Sequence, residues 1–267
     1  MEEKKEEEKN KLNLSRQAIL VPIDKINNYT IKVFGVGSIG SHVVKCLAKT
    51  GFKSIEVYDM DIVEEENIAA QAYDFRHIGI NKVDAMKEII KDSCGVEIKA
   101  IHGEIIKDTT IEVEPNIIYC CFFDSFEARK LIFEKIKDYP TIFVDGRIGK
   151  FDMRHYLIDL TNKEFKEQYG KSLETKAVSE LACGEKASAP VNLQISGMIV
   201  MNIINFIKGE DYTRIFIGNA STPDNNFNVL VYRTSQLPKE EGVEENILPE
   251  INEESIETFA DTVIVEE

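Results

Sequence analysis

The chain has 267 residues and a formal net charge of −15, from 32 basic and 47 acidic side chains. This balance argues against a general nucleic-acid-binding protein, because neutralising phosphates requires clustered lysine and arginine, and against a protein held on anionic lipid. No apolar run approaches the ~20 residues of a membrane span, and the charged N-terminus has no signal-peptide apolar region, so we expect a cytoplasmic protein without a membrane partner.

Strand-like and helix-like segments alternate through the first 150 residues, after a charged lead-in at residues 1–11. The predicted strands are residues 31–34, 55–59, 96–102, 116–123 and 141–145. The predicted helices are a segment that Gly51 ends, residues 80–92 and residues 126–137. This alternation predicts an α/β fold with a doubly wound, mostly parallel, Rossmann-like sheet.

The second half of the chain lacks this regular alternation. Strands predicted at residues 154–160 and 228–233 would add antiparallel strands to the sheet, and an apolar helix at 194–208 would be buried in the fold or in a dimer interface. Residues 161–186 are polar and irregular, so they predict a long crossover loop. We expect a single folded domain over residues 1–233.

The C-terminal segment, residues 234–267, is an acidic tail. It carries −10 of the net charge of −15, with apolar residues interspersed among the acids. Because a purely solvating run would lack those apolar residues, we expect the end of the tail to dock on the body or on a partner.

The cysteine pattern gives no support for a metal site. The five cysteines include no C-x-x-C pair, and their number is odd. Reduced thiols are therefore the default, and no zinc is expected.

Three glycines, Gly35, Gly37 and Gly40, form a G-x-G-x-x-G pattern between a predicted strand and a predicted helix. Glycines here permit a tight turn and let backbone N–H groups approach a phosphate. Asp59 ends the next strand, 24 residues beyond Gly35, where a carboxylate can accept both ribose hydroxyls. These features predict a nucleotide site, and they also fit an NAD-dependent oxidoreductase or a turn that binds nothing.

Four ordered segments narrow the choice. They are residues 14–20 (LSRQAIL), 59–71 (DMDIVEEENIAAQ), 78–85 (IGINKVDA) and 121–129 (CFFDSFEAR). In this order they resemble the ThiF/MoeB family, relatives of the ubiquitin-activating enzymes. That family's pattern includes D-x-D-x-V-x-x-x-N-L-x-R-Q, then I-G-x-x-K-A, then C-x-D-N-x-x-x-R. The resemblance covers about residues 12–150 and is faint beyond them.

The resemblance implies an ATP-dependent adenylyltransferase with Mg²⁺. Such an enzyme converts a carboxylate to an acyl-adenylate and releases pyrophosphate. The acceptor would be supplied in trans, as the C-terminus of a small ubiquitin-like or sulfur-carrier protein or of a peptide.

The resemblance also implies roles for individual residues. Lys82 would stabilise negative charge on the phosphates, and Asp124 would hold Mg²⁺. Arg16 would reach the phosphates bound by a neighbouring subunit, which implies a homodimer. The remaining residues that would line the nucleotide site are Gly35, Gly37, Gly40, Asp59 (on the ribose), Asp61, Asn67 and Gln71.

Two positions leave the function open. The arginine of the family's N-L-x-R-Q motif is Ala70 here, and losing a charge-assisted phosphate contact weakens transition-state stabilisation. Another cation could replace it, with Arg76, His77 and Arg147 as candidates; otherwise the chain could be a degenerate ATP-binding module that recruits a partner without turnover. Cys183, in the predicted crossover loop, is a possible nucleophile, although a loop thiol without evident activation is more often inert.

Overall fold

The computed structural model describes residues 12–114, 116–174, 188–219 and 230–233. The charged lead-in at residues 1–11, Cys183 and the acidic tail at 234–267 lie outside the described residues, so the predictions made for them stay predictions.

Within the described residues, eight strands form one mixed sheet. They are β1 (Thr30–Phe34), β2 (Ile55–Asp59), β3 (Lys99–His102), β4 (Ile117–Cys121), β5 (Ile142–Gly149), β6 (Asp152–Asp159), β7 (Thr213–Asn219) and β8 (Leu230–Arg233). Their order across the sheet is β3-β2-β1-β4-β5-β6-β7-β8. Strands β1 to β5 pair in parallel, while β5 to β8 pair in antiparallel fashion. The predicted fold, a mostly parallel sheet extended by antiparallel strands, is confirmed.

Helices cover both faces of this sheet. They are α1 (Ile23–Ile26), α2 (Gly40–Thr50), α3 (Lys82–Cys94), α4 (Phe126–Ile136), α5 (Lys163–Ser172) and α6 (Ala189–Lys208). Helices α2, α3 and α6 share one hydrophobic core on one face, and α4 and α5 share a second core on the other.

Helix α6 is the central element of the larger core. By length and composition it could cross a membrane, but 56% of its apolar window is buried inside the fold. Ile195, Ile199 and Ile203 are fully buried at the i, i+4 spacing of one helix face. This burial identifies α6 as a core helix that packs on α2 and on the antiparallel strands.

Two elements of the second half correct the sequence prediction. The expected loop at 161–186 contains α5, because Asn162 caps the helix by accepting from the Phe165 N–H at 3.2 Å, and Phe165 and Tyr169 are buried on one face. Strand β7 was not expected, although its alternating burial places Ile215 in one core and Phe216 in the other.

The strand order positions the functional site. Strands β2 and β3 lie on one side of β1, and β4 and β5 lie on the other. The chain connections therefore run in opposite directions along the sheet on the two sides of the β1–β4 pair. In doubly wound sheets, ligands bind in the crevice between two such strands, at their carboxyl ends.

Candidate functional site

The crevice between β1 and β4 is bounded by the glycine loop and by the residues that follow β4. The Phe122 N–H donates to the Phe34 carbonyl at 2.8 Å, which holds the two strand exits together. A Cβ on Gly35 would lie 3.0 Å from the Phe122 carbonyl carbon, so only glycine allows this approach. Asp124, two residues beyond Phe122, is thereby brought next to the glycine loop.

The three glycines of the loop have different structural roles. Gly35 has φ +89°, a left-handed conformation that favours glycine. A Cβ on Gly40 would lie 1.9 Å from the Gly35 carbonyl oxygen, so Gly40 is required for the turn to close. A Cβ on Gly37 would meet no atom within 4 Å. Gly37 thus faces open space at the N-terminus of α2, where backbone amides and the helix dipole favour a phosphate.

Asp59 ties the glycine loop to the segment that follows β2. Its Oδ2 accepts from the Val36 N–H at 2.8 Å, and its Oδ1 accepts from the Asp61 N–H at 2.9 Å. Burial raises the pKa of Asp59, while these two amide hydrogen bonds and the charge of Lys82 oppose that shift. The carboxylate lies at the strand end where the sequence predicts ribose binding, and each oxygen keeps one further acceptor position.

Lys82 begins α3 and lies beside the same segment. Its Nζ forms an ion pair with Asp61 Oδ2 at 2.7 Å, and its backbone N–H donates to the Asp61 carbonyl at 2.9 Å. Tyr73, which the sequence analysis did not single out, donates its hydroxyl to the Val36 carbonyl at 2.7 Å. The buried tyrosine joins the glycine loop to the start of α3, and no sequence pattern indicates this contact.

The segment around Ala70 is held by residues from two helices. The Ala70 carbonyl accepts from Asn192 Nδ2 at 2.8 Å and from His42 Nε2 at 3.1 Å. Burial lowers the pKa of His42, so the ring is neutral near pH 7. Among the described residues, Gln71 Oε1 and Asn192 Oδ1 are buried without a hydrogen-bond partner. Each of these two amide oxygens therefore keeps unused capacity to accept a hydrogen bond.

Asn67 has a local structural contact. Its Oδ1 accepts from the Glu64 N–H at 3.0 Å, within a short 3₁₀ turn at Glu65–Asn67. This contact fixes the turn that carries the chain toward Ala70 and Gln71. The predicted contact of Asn67 with a nucleotide stays a prediction.

Asp124 is exposed, and no hydrogen bond or ion pair to its carboxylate occurs within the described part of the chain. Asp124 does not cap α4, because Ser125 is the N-cap and its Oγ accepts from the Ala128 N–H at 3.2 Å. Buried Arg129 holds this turn by donating to the Phe123 carbonyl. Asp124 therefore lies exposed on a fixed turn shortly after the end of β4.

Comparison with known protein families shows to which family the chain belongs. Residues 11–241 match the ThiF family. The chain belongs to the ThiF family.

Curated relatives match part of this ThiF-family chain. SUMO-activating enzyme subunit 2 of Dictyostelium discoideum is 38% identical over 84 residues, which are 31% of this chain and 13% of that protein. NEDD8-activating enzyme E1 catalytic subunit of Arabidopsis thaliana is 37% identical over 113 residues, 41% of this chain and 25% of that protein. The matched regions thus span a quarter or less of these two relatives.

Solved structures confirm the ThiF-type fold at low sequence identity. Escherichia coli MccB with AMPCPP and MccA has a TM-score of 0.62 at 18% identity, over 78% of this chain and 64% of MccB. PaaA has a TM-score of 0.58 at 18% identity, over 78% of this chain and 74% of PaaA.

The proposed replacements for the missing ThiF-family arginine have partners other than Ala70. Arg76 pairs with Asp92 at 3.1 Å on the surface. His77 is buried and accepts from the Asp74 N–H, and Arg147 donates to buried Asp145 at 2.6 Å. His42 and Asn192 contact Ala70 instead.

Arg16 lies away from the glycine loop of its own chain. It is exposed, and its neighbour Gln17 donates to the carbonyl of Lys49, near the C-terminal end of α2. The glycine loop is at the other end of this 11-residue helix, roughly 15 Å away. Arg16 is therefore not positioned at the glycine loop of its own chain, and its predicted role in a neighbouring subunit stays a prediction.

Proposed function

We propose that this chain is an ATP-dependent adenylyltransferase that activates a carboxylate as an acyl-adenylate. The observation that carries the proposal is the open space above Gly37, at the carboxyl edge of the sheet where Asp59, Lys82 and Asp124 lie. Family membership supports ATP as the nucleotide and disfavours the NAD-dependent alternative. The MccB structure with AMPCPP, an ATP analogue, supports the same choice.

The proposed reaction is a displacement at the α-phosphate of ATP. A carboxylate oxygen forms a bond to the α-phosphorus, the bond from that phosphorus to the bridging oxygen breaks, and pyrophosphate leaves. No proton has to move, so the site needs charge stabilisation rather than a general base. Lys82 and the amides around Gly37 supply positive charge, and Asp59 orients the ribose.

The residues present fit a magnesium ion bound together with ATP. Mg²⁺ usually takes one or two protein carboxylates plus substrate phosphate oxygens and waters. Asp124 offers an exposed carboxylate beside the glycine loop, and within the described residues no cluster of three or more metal-ligating side chains suggests a separate protein cage. When bound, the ion would offset charge on the phosphates.

The proposed acceptor is the C-terminal carboxylate of a small ubiquitin-like protein or of a peptide. The relatives named for SUMO and NEDD8 activation support the first choice, and the structure of MccB with MccA supports the second. A homodimer is also proposed, because exposed Arg16 lies away from its own glycine loop and the family resemblance assigns it to the phosphates of a neighbouring subunit.

The experiment is pyrophosphate exchange into ATP by the full chain. The acceptors are a panel of ubiquitin-like proteins and short peptides with free C-terminal carboxylates. We expect exchange with a suitable acceptor and its loss in Asp124→Ala. Glu127→Ala, an exposed acid on the same turn, is the matched control and should keep the wild-type rate. Absence of exchange with every acceptor would reject the enzymatic proposal.

The second candidate is an ATP-binding module that recruits a partner without turnover. Ala70 favours it, because no arginine stands at that position and the neighbouring His42 is neutral. Tight ATP binding by calorimetry, without exchange under any condition tested, would support this candidate over the first.

A further inference from the structure

A groove of about 350 Å³ lies between α6 and the strands β6 and β7. Its walls include the side chains of Met198 and Met201 from α6 and Phe216 from β7. Strand β6 is three places from β1 in the sheet, so this groove is separate from the nucleotide crevice.

The polar residues in the wall carry no charge. Asn202 binds the backbone of Thr213, since its Oδ1 accepts from the Thr213 N–H at 2.7 Å and its Nδ2 donates to the Thr213 carbonyl. The second hydrogen on Asn202 Nδ2 is then directed at His155 Nε2, and the two nitrogens are 2.7 Å apart. His155 Nε2 must therefore be the acceptor. Burial lowers the pKa of His155 to about 3, which keeps the ring neutral.

The apolar side chains of the groove are incompletely covered within the described chain. Met201 is 49% exposed, and Met198 is only partly buried. Methionine adapts its flexible thioether to an irregular apolar partner. The groove thus suits an uncharged segment with one apolar side chain, rather than an acidic or basic peptide.

The chain itself delivers such a segment to this place. Arg233, the last residue of β8, pairs with Thr213, which lines the groove. Residues 234–239 (TSQLPK) follow directly; residues 234–238 carry no charge, Leu237 is their one large apolar side chain, and Lys239 ends the segment. Residues 234–237, if extended, reach up to about 13 Å. This reach is sufficient for Leu237 to travel the roughly 10 Å that α6 spans from Asn205 to Met198.

We propose that residues 234–239 dock in this groove, with the Leu237 side chain packed between Met198, Met201 and Phe216. The acids of the tail begin at Glu240. Docking of this acid-free segment therefore anchors the acidic tail to the antiparallel end of the sheet. This inference is independent of the reaction proposed above.

Hydrogen exchange of the full chain, followed by mass spectrometry, tests the proposal. We expect the amides of residues 234–239 to exchange at least about tenfold more slowly than an unprotected peptide. Met201→Glu and Leu237→Asp should each remove that protection. Leu193→Glu is the matched control, because Leu193 is an exposed apolar residue of α6 that does not line the groove.

Two further measurements keep the result interpretable. Unchanged exchange of β7 amides in each variant shows that the fold is intact. The sequence contains no tryptophan, so Leu237→Trp provides a single tryptophan, which can be excited selectively and whose emission should shift to the blue in the groove and to the red when Met201→Glu is added.

Three outcomes would overturn the proposal. They are unprotected amides at 234–239 in the wild-type chain, protection that survives Met201→Glu, and protection that disappears on dilution. The last would show that a second copy, rather than the same chain, fills the groove.

Discussion

Lys82 and Asp61 form a 2.7 Å ion pair in which the two partners are unequally exposed. The lysine side chain is 9% exposed, and the aspartate side chain is 53% exposed. Water can replace the contact at the exposed Asp61 carboxylate, whereas the buried Lys82 amine needs another anion in its place. Lys82 can therefore exchange Asp61 for a phosphate at small cost, while α3 keeps its amine near the glycine loop.

Removing the Lys82 amine should reduce catalysis more than folding. We expect Lys82→Ala to lower the pyrophosphate-exchange rate at least about 100-fold, because a cation on the developing charge is lost. Lys87→Ala, on the exposed side of α3, is the control and should keep the rate. Equal rates in the two variants would exclude Lys82 from the reaction.

Two glycines of the same loop should respond differently to alanine. Gly37→Ala places a methyl group where no atom lies within 4 Å, so folding should be retained and ATP affinity should fall at least about tenfold. Gly40→Ala places its methyl group 1.9 Å from the Gly35 carbonyl oxygen, so this variant should lose stability. Thermal unfolding and calorimetric ATP titration measure both effects. Retained ATP affinity in Gly37→Ala would show that the phosphates bind elsewhere.

Asp145 is the centre of a buried charge cluster. Its side chain is fully buried and accepts from Arg129, from Arg147 at 2.6 Å and from the Tyr169 hydroxyl at 3.0 Å. Asp145→Asn would leave two buried guanidinium groups without a counter-charge, so we expect a loss of about 3–5 kcal/mol in the free energy of unfolding. Urea denaturation measures it.

Asp138→Asn is the control for that substitution. The Asp138 side chain is 77% exposed, so its ion pair with Lys166 should contribute no more than about 1 kcal/mol. If both variants unfolded at the same urea concentration, the cluster would not stabilise the fold.

His155 predicts a specific acid sensitivity. Burial lowers its pKa from the ordinary 6.5 to about 3, so between these values the unfolded chain binds a proton that the folded chain does not. Stability should therefore fall as the pH drops below 6.5, by at most about 1.4 kcal/mol per pH unit from this group. His155→Gln lacks this titration, so the stability gap between wild type and variant should narrow by about 2 kcal/mol from pH 7 to pH 5. If the free energies of unfolding of wild type and His155→Gln changed in parallel with pH, His155 would not titrate in this way.

The elements that the sequence predicts correctly are those marked by a local pattern of residues. Strand β2 has the bounds that its alternation indicates, and Gly51 adopts the left-handed backbone expected of a helix C-cap. Helix α5 escapes prediction because its polar surface outweighs Phe165 and Tyr169, whose burial depends on distant strands. The average polarity of a segment does not show whether distant strands will bury its few apolar side chains.

The residues of the candidate site likewise fall into those that the sequence predicts and those that it does not. Gly37, Asp59 and Asp124 follow strand ends, so their positions can be predicted from the order of elements alone. Asn192 lies 122 residues from Ala70, whose carbonyl it binds, and this distance in sequence hides the contact. The packing of α6 on α2 creates it.

Transfer of labelled AMP tests the central claim most directly. The full chain is incubated with Mg²⁺, ATP labelled at the α-phosphate, and an acceptor protein or peptide with either a free or an amidated C-terminus. Our account predicts label on the free carboxylate, none on the amide, and none in either case with Lys82→Ala. Bound ATP with no label transferred to any carboxylate would contradict it.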